Sequence, residues 1–213
     1  MRMSPSHRLL LASALATLLG PAAIAQADDT DLYCPPPKLM ATDATGDQTL
    51  FGLPSPGSTD LDLTTISLGS NADGGGRVTI NTAALDKTVD PYATGLSWYF
   101  RYTVGGAKKF VDATLNPDGS VAYENGTDGS TYTPGGSSNG TFTTGTPGKI
   151  TIDVPDASWG DTLSAMSVYS YYDVGASTPA GAFSALEPGD NVAIGGTKKL
   201  AVCDVPPDPD SGE

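Results

Sequence analysis

The clearest pattern along the chain is an alternation. Leu96, Trp98, Phe100, Tyr102 and Val104 occupy every second position, with Ser97, Tyr99, Arg101 and Thr103 between them. Successive side chains of an extended strand point to opposite faces, so this period predicts a strand with Trp98 in the core. Tyr99 and Arg101 then lie on the other face, toward solvent or a ligand. Gly105-Gly106 is a two-residue hairpin signal, after which Val111, Ala113 and Leu115 alternate with Phe110, Asp112 and Thr114. In Asn116-Pro117-Asp118-Gly119 the proline presets φ and the glycine accepts φ > 0, which turns the chain into a third strand at Val121-Ala122-Tyr123. The three strands make a meander.

The same reading predicts strands at 63–68, 77–81, 141–143, 149–154, 164–172 and 199–204. Short strands at turn-bounded intervals must bury an apolar face each. A two-sheet antiparallel β-sandwich, jelly-roll-like and all-β, does this within a single domain spanning 28–205. The stretch 125–140 is almost entirely Gly, Ser, Thr, Asn and Asp around Tyr132 and Pro134, and reads as a long mobile loop. The acidic, proline-rich tail 206–213 reads as disordered.

Before the sandwich the pattern is different. Arg2 and Arg8 precede the apolar run from Leu9 to Leu19, and Ala23-Ile24-Ala25 and Ala25-Gln26-Ala27 supply the small residues a signal peptidase needs. Residues 1–27 therefore read as a secretory signal peptide, with a mature start at Asp28 and a secreted, extracellular destination. The apolar run is too short to span a bilayer. Cys34 follows Asp-Leu-Tyr, which is not the small, apolar context of a lipid anchor. In an oxidising compartment, Cys34 and Cys203 form the simplest possible framework, one disulfide bond. It would close a loop of 170 residues, for which the chain-entropy account gives roughly 5 kcal/mol before strain.

Removal of the signal leaves 186 residues with nine basic and 24 acidic side chains, a formal charge of −15. Such a chain repels nucleic acid and attracts cations. The only histidine, His7, leaves with the signal, which removes Ser-His-Asp and Cys-His catalysis and every histidine-ligated metal site from consideration. Asp60 and Asp62 alternate as though on one strand face, but paired acids in an Asp-rich protein are ordinarily solvated, and the chain is not read as an enzyme.

Several segments together resemble the DOMON-like and family 9 carbohydrate-binding-module-like sandwiches of secreted bacterial proteins. They are Asp43-Ala44-Thr45-Gly46-Asp47, Leu61 to Leu68, Val78-Thr79-Ile80, Phe110-Val111-Asp112-Ala113 with Asp118-Gly119-Ser120, and Gly148 to Pro155. The resemblance implies a non-catalytic β-sandwich that binds sugars, or in some members haem through methionine and histidine. A mature chain without histidine does not suit haem. With no catalytic partner fused to it, the domain reads as a freestanding, monomeric binding protein. Its partner is a carbohydrate, or, in an alternative reading, a protein on the cell surface, which would make it an envelope structural or adhesion protein. In a bacterial host Asn125-Gly126-Thr127 and Asn139-Gly140-Thr141 carry no glycan.

Two kinds of side chain offer binding chemistry. Asp43-x-x-Gly46-Asp47 places two carboxylates around a glycine that permits a sharp turn, and Asp62 is expected to come alongside as a third oxygen donor. That is a donor set for calcium, a hard cation that takes six to eight oxygens; the alternative is that these aspartates only cap and turn the backbone. Glu124, Asp118 and Asp128 form a second acidic stretch. For sugar stacking the candidates are Trp159, in the loop sequence Pro155-Asp156-Ala157-Ser158-Trp159-Gly160-Asp161, and Tyr99 with Arg101 on the solvent face of their strand. Trp159 alternatively caps an end of the sandwich. Tyr169 and Tyr171 share a strand face and need no ligand to account for them.

Overall fold

A computed structural model describes residues 33–50, 53–54, 59–89, 93–129, 132–173 and 186–204. Residues 1–27, read as a signal peptide, and the tail 206–213 lie outside the described residues. Among the described residues thirteen strands follow one another: β1 (Lys38–Thr42), β2 (Thr49–Leu50), β3 (Leu53–Pro54), β4 (Leu63–Ser70), β5 (Gly75–Thr82), β6 (Gly95–Val104), β7 (Ala107–Leu115), β8 (Val121–Asp128), β9 (Tyr132–Ser137), β10 (Gly140–Thr143), β11 (Gly148–Ser158), β12 (Thr162–Asp173) and β13 (Leu186–Lys199). They form a five-stranded sheet in the order β1-β4-β5-β11-β10 and a six-stranded sheet in the order β13-β12-β6-β7-β8-β9, with β2-β3 as a small separate hairpin. All pairings are antiparallel. The protein is an all-β sandwich.

The alternation in β6 works as read. Trp98, Phe100 and Tyr102 are buried between the sheets, against Ile66 and Leu68 of β4, Val78 and Ile80 of β5, and Ile150 and Ile152 of β11. Trp98 reaches Phe142 edge-on and donates its indole N–H to the Asp60 carbonyl at 3.0 Å. The hairpin at Gly105-Gly106 and the turn at Asn116–Gly119 both use glycines with positive φ, at Gly105, Gly106 and Gly119.

Three local expectations are corrected. The stretch 125–140 is not a loop: β8 continues to Asp128, β9 runs back along it, and β10 opens the return to the other sheet. Two of its glycines are packing devices, since a methyl at Gly126 would lie 2.7 Å from the Phe110 ring and collide with the Thr133 carbonyl, and one at Gly140 would meet the Tyr123 ring. The last strand is Leu186–Lys199, not 199–204. Pro188, Gly189, Gly195 and Gly196 conceal it in the sequence, and pairing along β12 imposes it. Asp60 and Asp62 do not share a strand face, because Asp60 lies in the turn before β4 and accepts the Asp86 N–H at 2.8 Å.

The outermost strands meet at two lateral edges. At one, Ser138 and Asn139 carry the chain from β9 to β10, and are pinned on both sides: Ser138 N–H donates to Tyr123 O at 2.9 Å, and Asp153 N–H donates to Asn139 O at 2.8 Å. At the other, β1 and β13 lie against each other without being adjacent in sequence. There the Cys34–Cys203 disulfide bond ties residues 169 apart, flanked by paired backbone hydrogen bonds between Tyr33 and Asp204 at 2.8 and 3.0 Å.

Candidate functional site

The acidic corner lies at the far end of the β1/β13 edge from the disulfide. Asp43 follows β1 immediately, and its N–H is held by the Thr64 carbonyl at 2.8 Å. The chain then turns at Gly46, whose φ of +92° only glycine adopts without strain. Asp47 is exposed on the far side of this turn. One carboxylate oxygen of each of Asp43, Asp47 and Asp190 lies within 4.8 Å of the other two. Asp190 comes from β13, more than 140 positions away, and nothing in the Pro188-Gly189-Asp190 sequence marks it as a ligand.

Asp62 does come alongside this loop, through the Gly46 N–H, but it is not one of the three clustered carboxylates. It is 1 % exposed and its Oδ2 accepts the Gly46 N–H at 2.9 Å, so it supports the turn from below, while Asp190 supplies the third clustered carboxylate. Its Oδ1 is buried with no hydrogen-bond partner, as is Oδ2 of Asp43. Asp190 holds the edge together through its own acceptors, taking the Leu63 N–H at 2.9 Å and the Asn191 N–H at 2.7 Å.

The corner is electrostatically unfavourable without a counter-charge. Burial, followed by the charges of Asp43 and Asp47, pushes Asp190 up to about 6. Burial also raises Asp43, where Asp47 adds to it, and raises Asp62, where Asp47 and Asp43 add to it. Buried acceptor oxygens without a donor on Asp43 and Asp62, together with three clustered carboxylates, are the donor chemistry that suits a hard, oxygen-seeking cation, which Asp43, Asp47 and Asp190 could hold.

The second acidic stretch is not a cluster. Asp118 and Asp128 lie at opposite ends of β8, and Asp118 accepts from the N–H and Oγ of Ser120 at 2.9 and 2.6 Å, so it shapes its turn.

The aromatic candidates separate into two places. Tyr99 and Arg101 do lie on the outer face of the six-stranded sheet, but much of their surface is used within it. Tyr99 packs against Phe110, Tyr132 and Tyr171 with centroids 5.1 to 5.7 Å apart. The Arg101 guanidinium lies over the rings of Tyr132 and Tyr169 at 4.7 and 4.5 Å, and donates to the Tyr171 hydroxyl at 3.3 Å. Beside them Asp112, 3 % exposed, accepts the Thr114 hydroxyl at 3.1 Å, and burial with the neighbouring Glu124 charge pushes it up to about 7.

Trp159 is elsewhere. It follows β11, next to the end of β12 that lies seven residues from Tyr169, roughly 23 Å of strand from the Tyr99 cluster. The half-buried indole donates to the Asn71 carbonyl at 2.9 Å, and its backbone N–H donates to Gly74 O at 2.9 Å, so it does cap this end of the sandwich. Next to it is an open cleft of about 230 Å³ lined by Asp73, Gly74, Asn139, Asp153, Pro155 and Ser158. Trp159, Tyr99 and Arg101 therefore do not compose one site.

No family model, curated protein or solved structure matches this chain. Among the described residues no helix is long and apolar enough to cross a membrane, and the Cys34–Cys203 bond is compatible with an extracellular protein.

Proposed function

We propose that the protein is a secreted, non-catalytic binding module that takes carbohydrate at its Trp159 end and is stabilised by calcium at the acidic corner. The observation that carries the reading is the indole itself: partly exposed, fixed in orientation by its bond to Asn71, and beside a cleft whose walls bear Asp73, Asn139 and Asp153. A sugar ring presents C–H groups to an aromatic face and hydroxyls around its rim, which is the division of labour this end offers. A ring already held in place loses little entropy on binding. The signal peptide and the absence of histidine from the mature chain support the exported and non-catalytic parts of the reading.

The test is a glycan array with an insoluble-polysaccharide pull-down, run on the mature chain and on Trp159→Ala. Binding by the mature chain, weakened at least about tenfold in the variant, supports the reading; tenfold corresponds to about 1.4 kcal/mol. No binding to any glycan sinks the sugar reading, and retention by cells that is lost after protease treatment would replace it with a protein-binding, adhesive one.

A further inference from the structure

We propose that Asp190 ligates the same cation as Asp43 and Asp47, and that this ion clamps the β1/β13 edge at the end opposite the Cys34–Cys203 bond. The inference rests on the calcium reading above and adds the strand that the ion captures. Asp43 and Asp47 belong to the loop leaving the edge strand of one sheet, whereas Asp190 belongs to the edge strand of the other. An ion among their oxygens, which lie within 4.8 Å of one another, spans the sandwich instead of merely shaping a loop.

Asp62 gives the cluster a second, independent sign of a ligand. It is almost fully buried, its Oδ2 takes Gly46 N–H between the two loop aspartates, and its Oδ1 has no partner. A buried carboxylate oxygen left without a donor is costly unless something positive completes it.

The layout places the two fasteners at opposite ends of the edge. From Cys34 to Asp43 is nine residues, roughly 30 Å of extended chain, so the disulfide cannot restrain the acidic end directly. Direct hydrogen bonds across that end include the Leu63 N–H to Asp190 at 2.9 Å, the Ser170 hydroxyl to the Leu61 carbonyl at 2.6 Å, and a long one at 3.4 Å from the Thr49 hydroxyl to the Gly189 carbonyl. Without a cation, the carboxylates of Asp43 and Asp47 repel that of Asp190 across the edge; a cation reverses the sign of the same three charges.

Calorimetric titration of calcium chloride into the mature, disulfide-bonded chain, paired with hydrogen exchange in calcium and in chelator, tests the clamp. The expected result is a binding heat, exchange slowed in both 38–50 and 186–199, and affinity lowered at least about tenfold in Asp190→Asn. If calcium binds but Asp190→Asn keeps the parent affinity, or β13 exchanges at the same rate in calcium and chelator, the clamp is overturned and only a loop ion remains. No binding heat with unchanged exchange overturns both clamp and calcium reading. If Asp190→Asn fails to fold, Asp47→Asn, changed at an exposed position, decides at the same calcium concentration: loss of the β13 protection supports the clamp, and its persistence overturns it.

Discussion

The two lateral edges of this sandwich are closed by different means. At the β9/β10 edge the chain itself crosses between sheets through Ser138 and Asn139, and the surrounding glycines let Phe110 and Tyr123 pack directly onto backbone. At the β1/β13 edge no local segment joins the strands, and closure falls to a covalent bond at one end and to carboxylates at the other. Where a short connection links neighbouring strands, packing suffices. Where contacting strands are far apart in sequence, the loop-closure entropy is large and a cross-link offsets it.

The largest effect should come from the covalent fastener. Replacing both Cys34 and Cys203 by serine is expected to lower unfolding free energy by up to roughly 5 kcal/mol in denaturant melts. Loss of less than about 1 kcal/mol would mean that the β1/β13 edge closes as readily as the other. Gly126→Ala attacks the opposite edge, where the added methyl would sit 2.7 Å from the Phe110 ring. Overpacking against backbone should cost about 2–3 kcal/mol and expose β9 to faster hydrogen exchange, while leaving exchange in β1 slow. A variant as stable as the parent would show that β9 is not held by this packing.

Calcium should stabilise the β1/β13 edge by about 2.7 kcal/mol when a hundredfold above its dissociation constant, read as a raised melting temperature over chelator. Identical melts in calcium and chelator would leave Asp43 and Asp47 with a turn-shaping role only.

Asp112, on the outer face near β9, gives a pH signature belonging to the other side of the molecule. Its folded-state value is raised to about 7, by burial first and by Glu124 last, with the Thr114 hydroxyl opposing. A raised carboxyl contributes stability in full below its unfolded value, and that contribution is lost as pH climbs through the folded one. In saturating calcium, stability should therefore decline between roughly pH 4 and the folded value near 7, and Asp112→Asn should flatten that decline. An unchanged pH profile in the variant would exclude Asp112 as its cause. The smallest effect is expected at Ala165, which has a φ of +46° at the bulge where β12 slips register against β13. Ala165→Gly should relieve left-handed strain and raise the melting temperature, with a gain under about 1 kcal/mol; a fall would show that the bulge is held without strain.

The central strands were legible in the sequence because burial on one face imposes a period of two that single residues can display, as Trp98, Phe100 and Tyr102 do. Turns at Gly105-Gly106 and Asn116–Gly119 were legible because they need particular φ values that few residue types provide. The pairing of the two cysteines followed from their number in a chain read as exported. The edges of the six-stranded sheet were not legible: β9 and β13 are rich in glycine and proline, and only pairing with β8 and β12 keeps them extended. The same holds for the site. Asp43, Gly46 and Asp47 form a local turn that their spacing reveals, but Asp62 supports that turn through the Gly46 N–H, and Asp190 enters the cluster only because β13 folds against β1. Local conformational preference is encoded within a few residues, whereas convergence of carboxylates from distant strands exists only once the two sheets have packed.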